Sequence, residues 1–282
     1  MHKRHAGRDF LRRVRAGVRG VILVGVVGAG TCSGAAAQAG AGAGVGTLPE
    51  TPQPQQVQSQ DEVTIKSRPW AIVKDQGKIW TSPLRIRAHD LLWLVPLAGA
   101  TGAAFAEDQH VMTSVVSHNS TFNDASIYSS DVLVGGFVAA PVVLYEAGRK
   151  RDDPREREAG VLGGEAVVDG LVVQQVLKLI FWKERPALNH ANGLFFQSAA
   201  GFNSSFPSSH SVVAWSSAAV LAGEYPSKWA QVGFYSAATG VALTRVLGQQ
   251  HFPSDVLVGS SVGWLVGHYV FKAHHRHFLD RR

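Results

Sequence analysis

The chain has 282 residues, 45% apolar and 17% charged, which is enough to bury a sizeable core. Its net charge of +6 sits in the first twenty residues, where Lys3, Arg4, Arg8, Arg12, Arg13, Arg15 and Arg19 face one acid, Asp9. The remainder is neutral, which leaves no basic surface to argue for nucleic acid, and Cys32 as the only cysteine leaves neither disulfides nor thiol chemistry once the leader is removed.

The basic start, the apolar run Val21 to Gly30 and the small residues at Ala35–Ala37 have the form of an export signal over residues 1–37, with Cys32 leaving with it. The apolar run is short for a bilayer span, which needs about 20 residues. Residues 38–60 are Ala/Gly-rich and then Pro/Gln-rich and are expected to be a low-complexity linker. Residues 61–88 form a lead-in, irregular or briefly helical, with Trp70 and Trp80 as expected anchors. Beyond it, helical patterns cover residues 89–106, 129–147, 158–181, 208–223, 228–246 and 254–272, and strand signals are scarce. The expectation is an all-α, single helical-bundle domain of about six core helices over residues 89–272, with a basic, solvated tail at residues 273–282. The lengths suit short membrane spans as well as buried helices. Gly259, Gly263 and Gly267 leave one face of the last helix as bare backbone, against which a neighbour can pack closely.

Three polar islands interrupt these apolar patterns. In the first, Lys178 lies on an apolar helical face, and Arg185-Pro186 follows where the proline ends the helix. Lys178 and Arg185 can converge on one anion; alternatively Lys178 reaches out to solvent and Arg185 decorates the helix end. Lys183 and Glu184, between them, are expected to be surface charges. The second island, Pro207-Ser208-Ser209-His210, opens a helix whose free N–H groups suit an anion, with His210 in the first turn able to exchange a proton. A capping serine pair with a surface histidine fits it too. The third contains Arg245, His251 and Asp255, an arginine with a carboxylate four residues after the histidine, as either a structural ion pair or a histidine oriented by its acid. Together they supply what phosphoryl transfer without a metal needs: cations for the phosphoryl oxygens, a nucleophile, and a separate acid for the leaving group.

These motifs resemble the type 2 phosphatidic acid phosphatases, whose fold is shared with class A acid phosphatases and vanadium haloperoxidases. The family pattern Lys-x6-Arg-Pro, Pro-Ser-Gly-His and Ser-Arg-x5-His-x3-Asp reads here as Lys178…Arg185-Pro186, Pro207-Ser208-Ser209-His210 and Thr244-Arg245…His251…Asp255. Order and internal spacing match; Ser209 replaces a glycine, where a positive φ would be uncomfortable, and Thr244 replaces a serine. The resemblance implies that His251 attacks phosphorus, that Asp255 orients it, and that His210 protonates the leaving group and then activates water. It implies that Lys178, Arg185, Ser208, the Ser209 N–H and Arg245 bind the phosphoryl oxygens, with neither metal nor other cofactor. The function expected from it is hydrolysis of phosphomonoesters or pyrophosphates, lipid phosphates included, through a phosphohistidine, in the cell envelope in association with the membrane. The site is expected on the non-cytoplasmic side. Two other classes share the motifs: a vanadate-dependent haloperoxidase, and a non-catalytic anion-binding membrane protein, which would need the cations but not both histidines.

Elsewhere Glu165 and Asp169, one helical turn apart, are expected to be structural partners of a nearby cation. The tail cluster His274-His275-Arg276-His277 is expected to be a solvated end, with adventitious metal binding as the alternative.

Overall fold

The computed structural model describes residues 68–197 and 203–275, which form seven α-helices and no strand among the described residues. The expected signal and linker segments lie outside them. The helices are α1 (Arg68–Thr81), α2 (Leu91–His110), α3 (Ser120–Arg151), α4 (Pro154–Phe181), α5 (Ser209–Glu224), α6 (Lys228–Leu247) and α7 (Pro253–His274).

Local chemistry sets most of the boundaries. Asn119 caps α3 by accepting from the Phe122 N–H at 3.0 Å, and Asp153 caps α4 directly ahead of Pro154. α3 ends at Asp152 and α4 at Trp182, both in the left-handed region that stops a helix. The first polar island therefore does not lie on one helix. α4 stops at Phe181, and Arg185 sits in a loop that folds back, rather than at the end of a helix running to Pro186.

α5 is the central helix, packed against α3, α4, α6 and α7, with Val212, Ala214, Ala218, Val220 and Leu221 all buried. The glycine face of α7 lies on it. A Cβ at Gly259 would come 2.8 Å from the Ser208 carbonyl oxygen, one at Gly263 2.5 Å from that of Val212, and one at Gly267 closer still to that of Ser216. This bears out the close approach expected from the spacing.

The outer helices are apolar on the outside. Val132, Leu133, Val138, Val142 and Val143 of α3 are exposed, as are Leu171, Val172, Val176, Leu179 and Ile180 of α4. Both helices are long and apolar enough to cross a bilayer.

The lead-in packs differently from expectation. Trp70 and Trp80 are 64% and 41% exposed and anchor nothing, whereas Asp75 is buried. The face that α1 turns inward is largely polar, with Ile79 against the core: Arg68 pairs with Glu165 at 2.7 Å, and Gln76 donates to Asp169 at 2.7 Å. The structural role expected of Glu165 and Asp169 is thus met by partners on α1. The tail expectation is corrected as well. α7 runs on to His274, which meets Asp75 at 2.6 Å, and His275 meets Glu224 at 3.0 Å. Acidic groups at that end of the bundle give both rings a place to go.

Candidate active site

Helix direction brings the three islands to one end of the bundle. α4 and α6 arrive there with Lys178 and Arg245 near their last turns, and α5 and α7 depart from it with Ser208 and Asp255 at their starts. Two helix N-termini, with their free N–H groups and positive dipole ends, thus flank the cations.

Lys178 is buried on α4 and has no hydrogen-bond partner among the described residues. Arg185 ties the islands together: its Nε donates to the Asn203 carbonyl oxygen at 3.2 Å and its Nη1 to that of Gln250 at 3.0 Å. Burial lowers its pKa, opposed by Asp255. Arg245 is buried; its Nη1 donates to Ser130 Oγ at 3.1 Å and to Asp131 Oδ1 at 3.2 Å, while its Nε has no partner among the described residues.

Ser208 is the N-cap of α5, its Oγ 3.4 Å from the Ser211 N–H, and its own N–H donates to the Asp255 carbonyl oxygen at 3.1 Å. Capping and a place in the site coexist. Ser209 is the first helical residue and does not have a positive φ, so its side chain is not strained there. Thr244 turns its hydroxyl back onto its own helix, to the Gly240 carbonyl oxygen at 2.7 Å.

His251 lies in the loop before α7 and is 1% exposed. Its pKa is well below the usual histidine value, first through burial, then through Arg185, Arg245, Lys178 and His210, which all oppose a further positive charge. The ring is therefore neutral and keeps a lone pair. Asp255 stands 3.6 Å from Nδ1, too far for a hydrogen bond. Ser205 lies between them, its Oγ 3.4 Å from Nδ1 and donating to Asp255 Oδ2. Asp255 also accepts from the Phe252 N–H at 2.9 Å, so it caps α7 while facing the histidine. With Nδ1 on this side, Nε2 is the nitrogen turned away from Asp255. His210 is held from the other side, its Nε2 3.0 Å from Asp131 Oδ1.

Lys183 and Glu184 are corrected from surface charges to buried groups. Lys183 Nζ donates to Asp108 Oδ2 at 2.7 Å, Ser254 Oγ at 2.9 Å and Asp255 Oδ1 at 2.9 Å. It does so inside a shell of aromatic rings, 4.3 Å from the Phe252 centroid and 4.9 Å from that of Phe105. Glu184 accepts from Asn189 Nδ2 at 2.8 Å. The left-handed turn at Trp182 drives both inward. Sequence reasoning also missed Asp131, Asp108 and Ser205. A lone acid in the apolar middle of α3 and one at the end of α2 were the available signals; Ser205 gave none beyond its place beside Pro207.

A family model described as the PAP2 superfamily matches residues 160–279. Lipid A 1-phosphatase of Porphyromonas gingivalis is 38% identical over 65 residues, 22% of this chain and 15% of that protein. Undecaprenyl-diphosphatase BcrC of Bacillus subtilis is 24% identical over 156 residues, 55% of this chain and 76% of that protein. No solved structure matches the chain.

Proposed function

We propose that the chain, whose residues 160–279 match the PAP2 superfamily, is a membrane phosphatase that hydrolyses lipid phosphates or diphosphates through a phosphohistidine at His251. The observation that carries this reading is a neutral, buried histidine ringed by Lys178, Arg185 and Arg245. Such a cradle holds a phosphoryl group by charge while leaving the nucleophile unprotonated. In the first step Nε2 of His251 bonds to phosphorus and the bond to the leaving oxygen breaks, with His210 giving that oxygen its proton. In the second, His210 takes a proton from water, the water oxygen bonds to phosphorus and the phosphorus–nitrogen bond breaks. Lys178, Arg185, Arg245, the Ser208 hydroxyl and the Ser209 N–H carry the charge on the three equatorial oxygens. Asp255, through Ser205, holds the His251 ring.

Three features support a lipid substrate. The two relatives are named for lipid-linked phosphates. α3 and α4 are long and apolar enough to cross a bilayer and expose apolar side chains. A cavity of about 500 Å³, lined by Trp93, Trp215, Val256, Leu257 and Trp264, starts at the residue following Asp255 and suits an apolar chain.

The α3–α4 corner carries Arg149, Lys150, Arg151, Arg155 and Arg157, whereas the loops at the site end carry only Lys183 and Arg185. Cytoplasmic loops are the ones enriched in Lys and Arg, so the site faces outward in this proposal. Six passes, α2 to α7, return Arg68 and His275 to one side. Cleavage near Ala37 on the outer face is incompatible with that orientation, because the Pro/Gln-rich residues 38–60 cannot cross back. The proposal therefore keeps the leader, and N-terminal sequencing that returned Gln38 would reverse the orientation or argue for a soluble bundle.

Phosphate release from a lipid monophosphate, an isoprenoid diphosphate and a soluble aryl phosphate, in detergent, tests the substrate class. The expected kcat/KM for at least one lipid exceeds that for the aryl ester by about tenfold or more, the worth of one to two kcal/mol of extra contact. Equal values would remove the lipid reading, and no release from any of the three would remove the phosphatase reading.

A further inference from the structure

The opposite end of the bundle holds a second buried polar cluster that the phosphatase chemistry does not use. Glu165 lies thirteen residues before Lys178 on α4, about 20 Å along the helix. Asp75 of α1, Glu165 of α4 and His274 of α7 bring one ligand atom each to within 4.8 Å of one another. Asp75 is 1% and Glu165 4% exposed.

The outer oxygen of each acid is held by a donor, while the inner oxygens face His274. Tyr269 donates its hydroxyl to Asp75 Oδ1 at 2.8 Å, and Arg68 donates to Glu165 Oε2 at 2.7 Å. That leaves Asp75 Oδ2 2.6 Å and Glu165 Oε1 4.0 Å from His274 Nε2. Glu165 Oε1 has no hydrogen-bond partner among the described residues. Asp169, one turn along α4, repeats the pattern: Gln76 holds Oδ1 and Oδ2 has no partner. Donors that hold the far oxygen of a carboxylate while its near oxygen faces inward are the outer shell of a metal site.

Charge makes the same demand. Asp75, Glu165 and Asp169 bring three negative charges, and Arg68 brings one positive. Protonating His274 still leaves one buried negative charge uncompensated, which is costly. A divalent cation with neutral His274 closes the balance, as does a proton on one of the acids, and titration with metal tells the two apart. We propose that Asp75, Glu165 and His274 bind a divalent cation of the zinc or manganese class, with Asp169 beside it. One imidazole with carboxylates selects these ions over magnesium, which prefers oxygen and water alone. The ion fastens α1 to α4 and to the last turn of α7.

The test uses the full chain in detergent without a histidine tag, titrated with Mn²⁺ while the free-ion EPR signal is followed, and with Zn²⁺ while melting is followed. One equivalent of Mn²⁺ is expected to bind, with a raised melting temperature in Zn²⁺. Glu165→Gln and Asp75→Asn are each expected to weaken Mn²⁺ binding at least about tenfold. Aryl phosphate turnover by the same samples shows that the variants are folded. A neighbouring trio, Glu158, Glu224 and His275, has ligand atoms equally close together, and His277 extends the histidine-rich tail. Glu224→Gln and His277→Ala should therefore keep the wild-type affinity. The inference is overturned if the wild type binds no Mn²⁺, if folded Glu165→Gln binds it unchanged, or if Glu224→Gln or His277→Ala abolishes binding.

Discussion

The two ends of the bundle are built from the same helices and hold opposite charge. At the site end, Lys178, Arg185 and Arg245 crowd around His251, and only Asp131 and Asp255 oppose them directly. At the far end, Asp75, Glu165 and Asp169 crowd together with Arg68 as the one permanent cation paired with them among the described residues. Neither end closes its own charge, which is expensive in a bundle of apolar helices unless something else does. Positive excess beside two helix N-termini asks for an anion that comes and goes. Negative excess with its outer oxygens already hydrogen-bonded suits a cation that stays. In the proposed reading the difference is one of turnover: His251 attacks and His210 gives a proton at the first end, and the second end only holds an ion.

The largest expected effect is at the first end. His251→Ala removes the attacking atom, and activity on every substrate should fall by at least roughly 10³-fold with the melting temperature little changed. Retained turnover would mean that another group attacks. Next comes Lys183→Met, which leaves Asp108 and Asp255 buried without their cation. Denaturant unfolding should show a loss of about 3–5 kcal/mol, and Lys183→Met with Asp108→Asn should recover part of it. A loss under about 1 kcal/mol would return Lys183 to the surface role that its sequence suggests.

Lys183 also shows where sequence reading fails. That Lys178, Arg185, Ser208, His210, Arg245, His251 and Asp255 come together was legible because polar motifs at the spacing of a known family stand out in an apolar chain. Core helix positions were legible from helical periodicity, and so was the glycine face of α7. Lys183 sits between Trp182 and Glu184 after a helix end, where a charge is ordinarily solvated. What buries it is a left-handed turn at Trp182 together with Asp108 and four aromatic rings from distant segments. None of that is local in sequence. Asp131 and Ser205 were missed likewise, since each acts through residues 46 to 114 positions away. Asp75 was passed over for two tryptophans because size was taken for anchoring, when α1 docks largely through polar groups.

Smaller effects sharpen the contrast. Gly263→Leu should push α7 from α5 and cost about 1–3 kcal/mol or more, as overpacking does; an unchanged melting temperature would contradict the close approach. Asp131→Asn should lower turnover of alkyl phosphates by about tenfold, through looser placement of His210, and affect aryl phosphates less because their leaving groups need less protonation. Equal loss on both would assign Asp131 to Arg245 instead. The smallest effect is on pH dependence. His251 takes up a proton in the unfolded chain near pH 6.5 but resists it when folded. Stability from this group is thus intact above about pH 6.5 and lost as pH falls toward the lower folded value. The melting temperature should drop more steeply over that range in the wild type than in His251→Asn.

The central claim is that His251 becomes phosphorylated, and trapping the adduct tests it most directly. His210→Ala should still react with a labelled aryl phosphate, since that leaving group needs little protonation, but should lack the base that activates water. The account predicts an acid-labile, base-stable label that accumulates on the peptide containing His251 and is absent from the His210→Ala, His251→Ala double variant. A label on another residue, or full turnover by His210→Ala with no adduct, would contradict it.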